Sequence, residues 1–309
     1  MAAADRLAAL MPAAGHMVHM PSHIYFRIGR YLDAAVSNAK AIQVDESYLE
    51  RTGAQGVYRA LYYPHNVHFL WSAMCMEGRS AEALAAAEQF GKLVPEEMIR
   101  EMPMIEGFAP TKLFTLVRFG KWEQVLAEPE PAADLTYSVG MWHYGQGVAC
   151  AALKRLDDAQ RHAAELDKIL SATPDDKKLM RHPAKTLLGV AAQLLAGRNR
   201  LQQDKPPAGI AALEEAVRLQ DTLEYDEPPA WYYSARQSLG AALLTAGRAA
   251  EAEKIYREDL QQYPDNGWSL FGLSASLRAQ GRVAEAEQAT TRFQQAWQRA
   301  DLALPASQF

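Results

Sequence analysis

Apolar positions recur along this chain with the spacing of a helix face, and the recurrence is clearest in its last third. The stretch LGAALLTAGRAAEAEKIYREDLQQYP (residues 239–264) is followed by LSASLRAQGRVAEAEQATTRFQQAW (residues 273–297). Gly247 and Gly281, Ala252 and Ala286, and Glu253 and Glu287 each stand 34 residues apart. Each stretch reads as a helix, a turn and a second helix. Gly240 on the first helix lets the paired helix come close, and Gly247 accepts the positive φ that ends a helix at little cost. Ala252 is the small contact on the second helix, Tyr256 fills the space between units, and Pro264 stops the helix.

The same turn, a glycine with a basic residue or an alanine a few places on, returns upstream. It is seen at Gly29 with Ala34, at Gly78 with Ala83 and at Gly197-Arg198, and in weaker form at Gly120-Lys121 and at Lys154 with Ala159. Spacings beyond 34 residues fall where loop residues gather, as in DESYLERTGAQGVYRALYYP (45–64) and RLQQDKPPAG (200–209). Seven hairpins are expected, at 15–44, 64–93, 106–128, 140–172, 183–220, 231–263 and 267–300, in one domain over residues 1–309. The period and these turn residues resemble the tetratricopeptide repeat (TPR) family. The resemblance implies an all-α solenoid, a right-handed superhelix with a concave groove for ligands. Pro12 stands to Gly29 as Pro264 stands to the next turn, so residues 2–11 read as the second helix of an earlier hairpin. The expectation is a chain that is a fragment, or the C-terminal portion of a longer array.

Two histidine clusters sit in matching register. GHMVHMPSHIYFRIGRY (15–31) carries His16, His19 and His23, and YYPHNVHFLWSAMCMEGRS (62–80) carries His65 and His68. His16 and His65 lie thirteen residues before their turn glycines, and His19 and His68 lie ten before. At 100° per residue the first three share a helix face. In the TPR family these positions line the concave groove, so the resemblance points all five rings into it, and replacing His19 and His68 by alanine should then cost little stability. His16 and His23 are roughly 10 Å apart along an ideal helix, too far to share an ion. A site would pair two of the first cluster with His65 and His68 on the neighbouring helix. Imidazole donors suit Zn, Cu, Ni or Fe. Glu106, read as opening the third hairpin, is the candidate carboxylate. Pro21 is expected to kink its helix and re-aim His23 toward His19. Tyr25, Tyr63 and Tyr144 are candidate groove walls.

Composition narrows the function. Of 309 residues 49% are apolar, enough for a large core, and the net charge of -5 gives no case for nucleic acid. No apolar run approaches membrane-spanning length, and residues 1–12 do not form a signal peptide, which leaves the cytoplasm as the default compartment. Cys75 and Cys150 share no metal-type spacing and read as core. No glycine-rich phosphate loop, zinc-protease helix or nucleophile with a base is present, so no catalytic residue is assigned. The N-terminal third also resembles a poorly characterised group of bacterial TPR-containing proteins, through HMPSHIYFRIGRY and YYPHNVHFLW. In that group a further hairpin, HYxIHA, precedes this region. The leading expectation is a binding module that takes a peptide, protein or small molecule in a histidine-lined groove holding a transition metal. The alternative is a metal-dependent hydrolase or oxidase, which a closed pocket under residues 48–63 would favour.

Overall fold

The computed structural model describes residues 2–309. Its helices are α1 (Ala2–Leu10), α2 (Gly15–His19), α3 (Pro21–Arg27), α4 (Tyr31–Thr52), α5 (Tyr63–Met76), α6 (Ser80–Leu93), α7 (Glu96–Glu101), α8 (Thr111–Arg118) and α9 (Trp122–Ala127). They continue as α10 (Thr136–Ala152), α11 (Leu156–Ala172), α12 (Ala184–Gln202), α13 (Pro206–Gln220), α14 (Ala235–Thr245), α15 (Ala249–Gln262), α16 (Gly267–Ala279) and α17 (Val283–Ala296). A π-helical turn, Tyr58–Tyr62, leads into α5, and a 3-10 turn, Pro103–Phe108, precedes α8. The fold is an all-α solenoid of helical hairpins. One departure is a two-residue hairpin of strands, Lys178–Leu179 against His182–Pro183, between α11 and α12.

Seven turns join the hairpins, and all use one device. A residue at positive φ, between 57° and 79°, ends the first helix: Gly29, Gly78, Gly120, Lys154, Asp204, Gly247 or Gly281. The next residue is basic in every case, and its N–H reaches the carbonyl five places back, as Arg30 does to Tyr25 and Lys205 to Arg200. That basic side chain then pairs with an acid three residues on, in Arg30–Asp33, Arg79–Glu82, Arg155–Asp158, Arg248–Glu251 and Arg282–Glu285. Such exposed pairs add a few tenths of a kcal/mol each. The fifth turn corrects the expectation of one at Gly197. Gly197 lies inside α12, where a Cβ would come 2.7 Å from Leu213, and the turn falls at Asp204. Asp tolerates the left-handed conformation well enough to replace glycine. The expected loop at 45–64 is also shorter, because α4 runs on to Thr52.

Consecutive hairpins stack through small residues. Tyr256, fully buried, lies between Gly240 on α14 and Gly272 on α16, where added Cβ atoms would stand 2.4 and 2.2 Å from its ring. The stack curls far enough for its last hairpins to reach its first ones. The Trp268 indole N–H donates to the Cys75 carbonyl at 3.0 Å, and the Asp301 carboxylate accepts from the N–H groups of Ser80 and Ala81 at the start of α6. Gly29 abuts the Pro264 carbonyl and Gly78 abuts the Trp297 ring. Tail residues 307–309 and the long segment 221–234 between α13 and α14 fill the inside of the curl. Among the described residues no helix is long and apolar enough to cross a membrane.

Two turn glycines separate closure from turn formation. Gly247 has φ +74° with nothing within 4 Å of an added Cβ, so Gly247→Ala should cost about 1 kcal/mol, the left-handed penalty alone. Gly78 has φ +71° and its Cβ would stand 2.3 Å from Trp297, so Gly78→Ala adds overpacking and should cost about 3 kcal/mol. Thermal unfolding of the two variants reads the difference; equal drops would refute a tight closing contact.

Candidate metal centre

The first hairpin is built to aim two rings at a third. Pro21 has no N–H for the turn before it, so the helix breaks at Met20 into α2 and α3. His19 and His23, one turn apart across the break, bring their Nε2 atoms to 2.9 Å. His65, from the first turn of α5, brings its Nε2 to 3.2 Å from that of His19. His19 is fully buried and the other two are half-buried, and the three offer ligand atoms within 4.8 Å of one another. Phe69, also fully buried, floors the cluster with ring centroids 5.1, 4.9 and 5.8 Å from His19, His23 and His65.

The hydrogen bonds behind the rings assign their tautomers. Asn38 donates its amide N–H to the Ala34 carbonyl at 2.7 Å, which turns its Oδ1 to His19 Nδ1, also at 2.7 Å. His19 must therefore carry its proton on Nδ1, leaving a lone pair on Nε2. His23 Nδ1 stands 2.5 Å from the Glu227 carboxylate, to which it donates, so its neutral form also has a lone pair on Nε2. Two lone pairs then face each other at 2.9 Å with a third ring nitrogen close by. One proton can bridge only one of these pairs, whereas one metal ion serves all three. Metal–nitrogen bonds of about 2.0–2.1 Å in tetrahedral array set ligand nitrogens about 3.3 Å apart, near the spacings seen here. A carboxylate and an amide oxygen behind the ligand rings are the usual supports of such a site. Burial, with His65 second, pushes the His19 imidazole down to about 2, and burial pushes His65 down to about 4, so both rings are neutral donors at pH 7.

A second buried acid sets the helices in register. Asp45 on α4 is fully buried and accepts from Tyr58 Oη at 2.5 Å and Asn66 Nδ2 at 2.7 Å. Gly15 presses on the same carboxylate, where a Cβ would lie 1.7 Å from Oδ1. One side chain thus ties the start of α2, the π-helical turn and α5. Beside the centre is a largely apolar cavity of about 370 Å³, walled by Val57, Ala60, Leu61 and Tyr62 of the π-turn segment, by Phe90, Val94, Ile105, Phe108 and Met180, and by His65 and His16. His16 Nδ1 is buried without a partner.

Several expected site residues stand elsewhere. His16 stacks on His19 with centroids 5.6 Å apart and lines the cavity, outside the converging set. His68 stands outside the converging set, stacked on Trp71 and packed against Phe90 and Phe108, and like His16 it lines the larger cavity. His19 and His68 are 0% and 7% exposed, so neither is the open groove residue that alanine would replace freely. Glu106 lies in the 3-10 turn rather than opening a helix; it accepts from Ser138 N at 3.0 Å and pairs with Lys177 at 3.0 Å. Tyr25 donates to Asp5, Tyr63 donates to Glu46, and Tyr144 bonds Tyr232 in the core; none faces the three rings. Glu227 and Asn38 escaped the sequence reading. Asn38 and Asp45 had a signal, since both fall on the buried face of α4 with Ala34, Ala41 and Ile42. Glu227 had none, being 204 residues from His23.

The chain's own segment 221–234 reaches the histidines. Glu227 holds His23, and Asp226 holds His182 at 3.0 Å on the rim of a smaller cavity that His68 also lines. Burial pushes His68 down to about 3. Above pH 6.5 its ring is neutral in folded and unfolded chains alike. Below 6.5 the unfolded chain binds a proton that the folded one refuses until about pH 3, so stability falls through that window. His68→Leu should flatten the dependence of unfolding free energy on pH near pH 5 by about 1.4 kcal/mol per pH unit. An unchanged slope would mean that the ring titrates normally.

No family model matches the chain, and no curated protein matches it. A solved structure similar to it along most of its length is the assembly chaperone of RpL4 (Acl4, residues 1–338), at 14% identity and TM-score 0.33, covering 90% of this chain and 86% of that one.

Proposed function

We propose that this helical-repeat protein binds one transition-metal ion through the Nε2 atoms of His19, His23 and His65, and that the centre acts on a small, mainly apolar molecule held in the adjoining cavity. The observation that carries the reading is the opposition of ring nitrogens whose protons are committed to Asn38 and Glu227. Three imidazoles with coordination left open are the donor set of catalytic rather than structural zinc-type sites. The bound ion would supply Lewis-acid activation of a water or of a substrate oxygen. The protein's part is to orient and to exclude solvent. Asn38 and Glu227 hold two ligand rings, Phe69 keeps their floor dry, and the π-turn segment covers the substrate cavity. Its neutral His16 imidazole, with an uncommitted Nδ1, is placed to exchange a hydrogen bond or a proton with a polar end of the substrate. Of the two functions expected from sequence, the site favours small-molecule chemistry over a peptide groove, because segment 221–234 stands where a peptide would lie.

Metal analysis and calorimetric titration of tag-free protein with Zn, Cu, Ni and Fe test this directly. One equivalent of a metal is expected, with stoichiometric binding lost in His19→Ala and His65→Ala. Glu227→Gln should bind the same ion about 10- to 100-fold more weakly. Wild-type protein that takes up none of these ions would refute the proposal.

A further inference from the structure

Among the described residues that line the cavity beside the three rings, none is an aspartate, glutamate, lysine or arginine. The polar side chains on its wall are those of His16, His65, His68 and Tyr62. Other cavities of the fold carry charge: Arg118 and Arg198 line one, Asp226 a second, and Arg27 and Asp221 a third. The mouth matches the interior. Val57, Leu61, Tyr62 and Met180 line the cavity and are 41–64% exposed, so large apolar side chains meet solvent at its rim. A charged molecule finds no counterpart from that rim to the floor.

Such a space discriminates by charge. An ionised group leaving water needs an opposite charge or several hydrogen bonds to replace its hydration, and this wall supplies no side chain of fixed charge. Burial pushes His68 down to about 3, so its ring brings no charge at pH 7. Of the three ligand rings only His65 lines the cavity, which confines the pull of a bound ion to one side. Volume sets the bulk of the occupant. A cavity of about 150 Å³ takes one benzene ring, so this one, at about 370 Å³, has room for roughly two rings.

We infer that the substrate is an uncharged, largely hydrocarbon molecule, with the bulk of about two fused rings, whose single polar group meets the unpartnered Nδ1 of His16. Amino acids, organic acids, nucleotides and sugar phosphates are excluded, because each would bury charge against a wall that has none to answer it. This class rests on the reading of the cavity as the substrate site, and it does not need the ion.

The test uses the full chain at pH 7 with a chelator present, so that no ion attracts an anion. Calorimetry compares naphthalenemethanol, naphthoate and naphthalenemethylamine, which share one body and carry a neutral, an anionic and a cationic head. The alcohol should bind at least about tenfold more tightly than either ion. Ala60→Trp, which fills the cavity from the π-turn, should abolish that binding, and His16→Phe should weaken it about fivefold. A charged compound that binds as tightly as the alcohol overturns the class, and so does an alcohol that does not bind. Binding that survives Ala60→Trp lies elsewhere and overturns it too, and unchanged affinity in His16→Phe overturns the contact to His16. Should Ala60→Trp fail to fold, wild-type crystals soaked in bromonaphthalenemethanol decide the place. A bromine peak inside the cavity supports the inference, and a peak elsewhere overturns it. Metal uptake is read by its own titrations, so a failed metal centre and a wrong substrate class give different results.

Discussion

The hydrogen bond from His19 Nδ1 to Asn38 Oδ1 is the constraint on which the centre rests. It is short, fully buried and fixed from behind, because Asn38 spends its amide N–H on the Ala34 carbonyl. With that tautomer settled, His19 can only present a lone pair toward His23 and His65. The rest of the reading follows from three ring nitrogens drawn together, of which a proton can bridge only one pair. A buried polar arrangement left unsatisfied is costly. That cost is the physical ground for the proposed metal site.

Asp45 plays the corresponding part for the backbone. Its carboxylate joins Gly15, Tyr58 and Asn66, so the helix carrying His16 and His19, the π-turn over the cavity and the helix carrying His65 share one anchor. Burial raises the carboxyl, and the bonds from Tyr58 and Asn66 act against that rise. The wall of the cavity and the ligand geometry are thus held by one group, which couples the shape of the pocket to the spacing of the rings.

Closure of the array supplies what a local hairpin cannot. Segment 221–234 bonds His23 through Glu227 and His182 through Asp226, and it contributes Tyr232 and Tyr233 to the cavity lined by Arg118 and Arg198. One segment therefore borders both the three rings and that cavity. In an open superhelix His23 would lack its carboxylate and the cavity near Arg118 would lie open to water. The curl, held by Trp268 on Cys75 and Asp301 on α6, converts a repeat with a groove into a protein with an interior.

Hairpin number, turn chemistry and the register of the two histidine clusters were written in the chain, because they depend on spacing along a helix and on which residues accept positive φ. Gly29, Gly78, Gly120, Gly247 and Gly281 declared themselves in this way. Asp204 did not, because a Gly-Arg pair at 197 imitated the motif seven residues early. Register also identified His19, His23 and His65 as candidates. It could not tell that α5 would send His65 to the centre and His68 to Trp71, since α5 is apolar on nearly every face and periodicity loses its sign there. Glu106 went to Lys177 for a related reason: a 3-10 turn rather than a helix carries it. Only the tertiary structure decided that Glu227 would stand behind His23 and that Arg118 and Arg198 would share a cavity with the C-terminal residues. Those pairings join residues far apart in the chain, and they are set by the summed rotation of seven stacked hairpins, a quantity to which every inter-repeat contact contributes a little and no short stretch of sequence contributes enough to read.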